Sequence, residues 1–336
     1  MPGVRPGVPN TGCRYHLTGQ HLRLPAPRCS VEPVNDDVPT PAPFSDDEAE
    51  QVRALTARLG LPGLIDVHTH FMPRSVMDKV WGYFDSAGPL IGREWPITYR
   101  ADEEQRLSTL RAFGVRAFTS LVYPHKPDMA EWLNGWASDF AAHTPDCLHT
   151  ATFYPEPTAP KYVSHAIQGG TRIFKCHIQV GDFSPMDSML DGVWSQIADA
   201  QVPVIIHCGS GPAPGRFTGV EPIQALLQRF PTLPLIVAHM GMPEYVEFLD
   251  LALRYAGVGL DTTMAFTDFS EDGAPLPDEA RAMLPDAGDK IFFGSDFPNI
   301  PYGYTHALDA VVRLGLGDDW LRKVFWENGS ELFGVS

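Results

Sequence analysis

The sequence predicts an α/β fold, a (β/α)8 TIM barrel preceded by a disordered N-terminal tail, and three observations carry that prediction. Short β-rich runs alternate with amphipathic helical stretches from about residue 62 onward, which is the pattern of βαβ units and a parallel sheet. Eight strands can be counted, each followed by a helix, and eight is the number that closes a barrel. No strand is followed by a GxGxxG or Walker turn, which weakens the alternative of an open, doubly wound nucleotide-binding sheet.

Residues 1–44 are rich in Pro, Gly and polar residues and show no apolar periodicity. Such a segment buries too little surface to offset its ordering entropy, so a disordered tail is expected there. Residues 45–336 are read as one barrel domain. Ser45-Asp46-Asp47-Glu48 reads as an N-cap with an acidic first turn, opening a helix that runs to about Gly60. The expected strands are 64–70, 115–123, 148–154, 171–180, 202–208, 233–240, 258–263 and 290–296. Helical patterns separate them, among them APKYVSHAIQ and DGVWSQIADA, and two more follow the last strand. Phe71, Trp81 and Tyr83 lie in a long insertion after the first strand, suited either to a hydrophobic lid or to core packing.

Composition narrows the partners. Of the 336 residues, 44% are hydrophobic, enough apolar material for a large core. A net charge of −16 argues against nucleic acid or an anionic membrane, since both require a basic surface. It leaves room for an anionic small molecule, because a few cations inside a pocket outweigh a distant acidic surface. A small-molecule substrate, with carboxylates among the candidates, is therefore the expected partner, and a homo-oligomer is compatible with this reading. The five cysteines, at 13, 29, 147, 176 and 208, include no CxxC, so neither a disulfide framework nor a zinc ribbon is indicated. Reduced thiols, with no signal-like N-terminus and no membrane-length apolar run, predict a cytoplasmic protein.

Strand periodicity then places the reactive residues. Positions i and i+2 share a face, so His68 and His70 point the same way, with Asp66 one layer deeper and Val67 and Thr69 toward the helices. An HxH alone is weak support for a metal site. The stronger signal is repetition: His207, His239 and Asp296 end three further strands, and Lys175 and His177 share a face near the end of a fourth. Barrel active sites are built at those C-terminal strand ends, and His with Asp is the donor set of a divalent metal site. Cys176 and Cys208 have the opposite parity and read as small buried apolar residues.

Asp66-Val67-His68-Thr69-His70, Ile206-His207, Ala238-His239-Met240-Gly241, Gly294-Ser295-Asp296-Phe297-Pro298 and the closing Glu327-Asn328-Gly329-Ser330-Glu331-Leu332-Phe333 resemble the amidohydrolase superfamily. The resemblance is to its amidohydrolase-related branch, which includes aminocarboxymuconate semialdehyde decarboxylase, and it spans about residues 62 to 334. It implies that His68, His70, His207 and Asp296 bind a divalent ion, usually Zn2+, and that His239 acts beside it. Lys175 is either a cation that meets a substrate anion at a one-metal site or, as in some branches, a carboxylated bridge between two metals. Asp296 would accept a proton from metal-activated water, and His239 would polarise a carbonyl or position the nucleophile. The expected activity is hydrolysis of a small amide, ester or lactone; the alternative is non-oxidative decarboxylation of an aromatic or unsaturated acid by a carboxy-lyase. His177 at the pocket mouth and Arg216 in the loop GSGPAPGRFTG are the further candidate substrate-binding residues.

Overall fold

The computed structural model describes residues 46–336; the tail expected over 1–44 and the Ser45 cap lie outside the described residues. After a helix over Asp46–Leu59, nine short parallel strands follow. They are β1 (Leu64–Asp66), β2 (Val115–Thr119), β3 (Cys147–Leu148), β4 (Thr150–Thr152), β5 (Ile173–His177), β6 (Val204–His207), β7 (Leu235–Val237), β8 (Val258–Asp261) and β9 (Ile291–Phe292). Backbone pairing runs β1-β2-β3 and β4-β5-β6-β7-β8-β9. Both gaps between these sheets are bridged. Ser120 N donates to Thr150 Oγ1 (3.2 Å) across the first, and Val67 N donates to Phe293 O (2.9 Å) across the second, where Thr69 also pairs with Phe297. With β3 and β4 as one strand interrupted at His149, eight strand positions close a (β/α)8 barrel.

Alternation along the strands sorts the core into two layers. Ile65, Val67, Ala117, Leu148, Ile173, Ile205, Ile236 and Phe292 pack together inside the barrel, over Trp326 and Phe333 from the C-terminal helices. Phe118, Phe174, Cys176, Val204, Ile206, Cys208, Val237 and Leu260 pack outward against the helices. Each fully buried Ile, Leu or Phe contributes about 1.5–3 kcal/mol relative to exposure. The outward positions of Cys176 and Cys208 agree with their sequence parity.

Two helices begin and end where the sequence pattern places them, Ala159–Gln168 and Asp191–Ala200. Asp102 caps the helix Glu103–Ala112 by accepting Gln105 N at 2.8 Å. The insertion after β1 folds as the helices Arg74–Asp85 and Ala87–Ile91. Phe71 and Trp81 are buried there, and the Trp81 indole donates to Asn299 Oδ1 (3.1 Å), while Tyr83 is exposed. Two of the three aromatics considered for a lid are therefore core. Among the described residues no helix is long and apolar enough to cross a membrane.

The strands are shorter than the apolar runs that announce them, and this changes one face assignment. The first strand ends at Asp66, with a register shift between Leu64 and Ile65, so a strict two-residue period cannot be extended across it. Val67 joins the inner layer instead of facing the helices. Asp66 turns outward, accepting Ser295 Oγ (2.6 Å) and the Tyr304 hydroxyl (2.8 Å) of the helix Tyr304–Val312. It anchors the β1 and β9 ends from outside and is not a deeper layer of the pocket.

Candidate metal centre

The residues of the site stand just beyond the strand ends, where the backbone turns sharply enough to aim them inward. His239 and Asp296 adopt left-handed conformations, with φ of 57° and 71°, a geometry uncommon for residues with a Cβ and found where surrounding structure holds it in place. Asp296 N donates to His68 O (2.9 Å) and Asn299 N to Asp296 O (2.8 Å), fixing that turn. Glycine at 294 is required by close packing. A Cβ there would lie 2.2 Å from Thr263 Oγ1 and 2.7 Å from His68 Cβ.

His68, His70 and Asp296 bring one donor atom each into a common space, all within 4.8 Å of one another, and all three residues are buried. His70 Nε2 stands 3.0 Å from Asp296 Oδ1, and His68 Nε2 stands 3.6 Å from the same oxygen. The opposite ring nitrogens are already committed. His68 Nδ1 donates to Asp261 Oδ2 (2.9 Å), and His70 Nδ1 donates to Leu121 O (2.8 Å). Each Nε2 is thereby turned into the site: His70 Nε2 hydrogen-bonds Asp296 Oδ1, and His68 Nε2 lies between that oxygen and Lys175 Nζ, so two imidazole nitrogens and a carboxylate converge on one space. Imidazoles anchored through the second nitrogen by a carboxylate or carbonyl are the usual outer shell of a metal site. Ligand bonds of about 2.0–2.2 Å at tetrahedral angles also place donor atoms about 3–4 Å apart. The donor set fits a divalent ion.

Asp261, not singled out by sequence reasoning, organises the centre from below. Besides His68 it accepts His239 N (2.9 Å) and Thr263 N (3.1 Å), and it is fully buried. Its signal in the sequence is the lone acid within the seventh predicted strand, 258–263.

Lys175 points inward from β5, as its parity predicted. Buried at 1% exposure, its Nζ lies 3.2 Å from His68 Nε2. His177 is the last residue of β5 and is paired in register with His207, the last residue of β6. Their rings stack with centroids 4.1 Å apart. His239 stands 4.7 Å from His207 and 5.2 Å from His68, and its Nδ1 donates to Thr263 O (3.1 Å). His70 lies 5.2 Å from His68 and 5.7 Å from Tyr123, and Tyr123 lies 4.9 Å from His177. Six rings, those of 68, 70, 123, 177, 207 and 239, thus form an unbroken circle, with five of the six anticipated from sequence. His207 belongs to this circle but not to the tight donor group, and its Nε2 is spent on Gly211 O (3.2 Å). Arg216 is not brought to the cluster; exposed in the loop after β6, it lies over the Phe217 ring at 4.8 Å.

Burial sets the charge states. It lowers His68 to about 4, assisted by Lys175 and opposed by Asp261. Burial and then His68 lower His239 to about 4. His177 and His207 are held well below the ordinary imidazole value by burial and by neighbouring histidines. Lys175 falls to about 8 through burial, with Asp261 and Asp296 opposing. Burial alone would raise Asp296, but the His70 hydrogen bond and the surrounding imidazoles hold it below the usual carboxylate range. At neutral pH the imidazoles of His68, His177, His207 and His239 are therefore neutral and the Asp296 carboxylate is ionised, the states that metal binding requires.

The family model described as Amidohydrolase matches residues 65–335. A comparison with curated protein sequences finds no match. Among solved structures, a TIM-barrel protein of Bordetella bronchiseptica superimposes with a TM-score of 0.65 at 18% identity, over 81% of this chain and 98% of that one. A dihydroorotase of Campylobacter jejuni gives 0.51 at 14% identity, over 82% and 84% of the two chains. A uronate isomerase of Bacillus halodurans gives 0.53 at 12% identity, over 87% and 98%. At these identities the structural likeness establishes the barrel fold.

Proposed function

Since the chain belongs to the amidohydrolase family, we propose that it is a metal-dependent hydrolase of a small amide, ester or lactone, with one divalent ion, Zn2+ in the simplest case, held by His68, His70 and Asp296. The observation that supports this most directly is the pair of imidazoles, each anchored through Nδ1, whose Nε2 atoms converge on one carboxylate. A divalent ion in such a donor set supplies a water of lowered pKa and a Lewis acid for the substrate carbonyl.

The chain's own groups do the rest. The carboxylate of Asp296 accepts the proton of the attacking water and passes it to the leaving group. His239, neutral and with Nδ1 tied to Thr263 O, offers its Nε2 lone pair to position the nucleophile. That role suits it better than polarising a carbonyl, which needs a proton on the same nitrogen. Lys175, an ammonium beside the donor group, meets a substrate anion such as a carboxylate. The rings of His177 and Tyr123 pack against each other beside this group, with centroids 4.9 Å apart. The net charge of −16 supports a small molecule as the partner, and the three buried, unpaired cysteines 147, 176 and 208 support a reducing, cytoplasmic setting.

The test is turnover of Zn2+-loaded protein against a panel of amides, esters and lactones, run beside carbon dioxide release from aromatic and unsaturated acids. Hydrolysis that disappears in Asp296→Asn is the expected result. Carbon dioxide release without hydrolysis would move the chain to the carboxy-lyase reading, and turnover that survives complete metal removal would refute both.

A further inference from the structure

We propose that Tyr123 is a substrate-binding residue whose hydroxyl donates a hydrogen bond to a carbonyl or carboxylate oxygen of the molecule bound at the His68–His70–Asp296 group. The inference rests on reading that group as the metal centre and adds to it the residue that holds the substrate.

The argument is one of accounting within the circle of rings. Each of the five imidazoles spends a ring nitrogen on the protein. His68 is tied to Asp261, His70 to Leu121 O, His207 to Gly211 O and His239 to Thr263 O, while His177 Nδ1 accepts Val180 N at 3.3 Å. The Tyr123 ring is held between two of them, edge-on to His70 at 84° and tilted against His177 at 52°. Its hydroxyl, however, makes no hydrogen bond to any described residue. The residue is half-buried, so this hydroxyl is left for solvent or for a bound molecule, and a phenol that served only to pack would do as well without its oxygen. Its neighbours assign the missing acceptor. His70 is a member of the donor group and Lys175 and His177 share one face of β5, so the ring stands beside the space that a molecule bound at that group occupies.

A phenol stays protonated at neutral pH and donates, and a hydrogen bond to a neutral or partly charged oxygen accounts for about a tenfold change in affinity. The experiment uses Co2+-loaded full-length protein and acetohydroxamate, an oxygen-donor ligand whose binding is followed in the visible absorption of the ion. Tyr123→Phe keeps the ring and removes the donor. The expected result is unchanged Co2+ affinity and an unchanged spectrum before ligand, with acetohydroxamate bound about tenfold more weakly. Equal acetohydroxamate affinity in variant and wild type would overturn the proposal, as would a parallel loss of Co2+ affinity, which would mark a merely structural role. Failure of wild-type protein to take up Co2+ would overturn it together with the metal-centre reading. An absence of hydrolysis across the substrate panel would count against the hydrolase reading alone.

Discussion

Replacing Asp261 by Asn should weaken metal binding by one to two orders of magnitude while leaving the barrel folded. Asp261 is fully buried and accepts three hydrogen bonds, from His68 Nδ1 at 2.9 Å, His239 N at 2.9 Å and Thr263 N at 3.1 Å. Asn keeps a carbonyl oxygen for the two backbone amides but turns an NH2 toward the His68 Nδ1–H. Two donors then face each other. The conflict is relieved if His68 moves its proton to Nε2, the nitrogen that points toward Asp296, or if the ring swings away; both remove a lone pair from the donor group. Loss of an outer partner of this kind costs about 10–100-fold in metal affinity, or about 1.4–2.7 kcal/mol. The folding cost is separate and comes from one mismatched buried hydrogen bond, about 1–3 kcal/mol. Competitive titration of Zn2+ against a fluorescent chelator at neutral pH measures the first quantity, and chemical denaturation of the metal-free protein measures the second. A Zn2+ affinity within twofold of wild type would refute the claim that Asp261 orients a ligand.

Chelation should abolish turnover and lower the thermal midpoint, with both restored by added Zn2+; free metal at a hundredfold excess over its Kd corresponds to about 2.7 kcal/mol of stabilisation, and a midpoint indifferent to chelator would contradict it. Lys175→Gln should leave the metal content near one ion per chain, because Lys175 acts here as a cation beside His68, while weakening carboxylate inhibitors by tenfold or more. A fall from two ions to one, measured by elemental analysis, would instead indicate a carboxylated lysine. Gly294→Ala should destabilise the protein by about 1–3 kcal/mol through overpacking, since the new methyl meets Thr263 Oγ1 and His68 Cβ. It should also displace His68 and lower metal affinity, so wild-type values in both denaturation and metal titration would contradict the geometry described.

The barrel was legible in the sequence because each strand is an apolar run flanked by a turn, and that pattern survives even where the strand is three residues long. Parity held on β5 and β6, which stay extended to His177 and His207, so Lys175, His177 and His207 face inward and Cys176 and Cys208 outward as expected. It failed on the first strand, where pairing shifts and extension stops at Asp66, leaving Asp66 and Val67 on exchanged faces. Left-handed turns at His239 and Asp296 carry no signature in an apolar run, so the strand ends were placed too late although their residues were identified. Asp261 was missed because a single acid at a strand end is commonplace until a histidine from another strand is seen against it. Tyr123 was missed because an aromatic residue at the end of an expected strand reads as packing, and only the circle of neighbouring rings sets it beside the donor group. Arg216, chosen from its Gly/Pro-rich loop, shows the converse: a loop sequence does not say which way its cation points.

The convergence of three side chains on one ion is tested most directly by X-ray absorption and elemental analysis of Zn2+-loaded wild type beside His70→Ala and Asp296→Ala. The account predicts about one ion per chain, bound by imidazole nitrogen and carboxylate oxygen at about 2.0–2.2 Å, and metal content that collapses in both variants. Full occupancy in both variants, with an unchanged ligand shell, would contradict it.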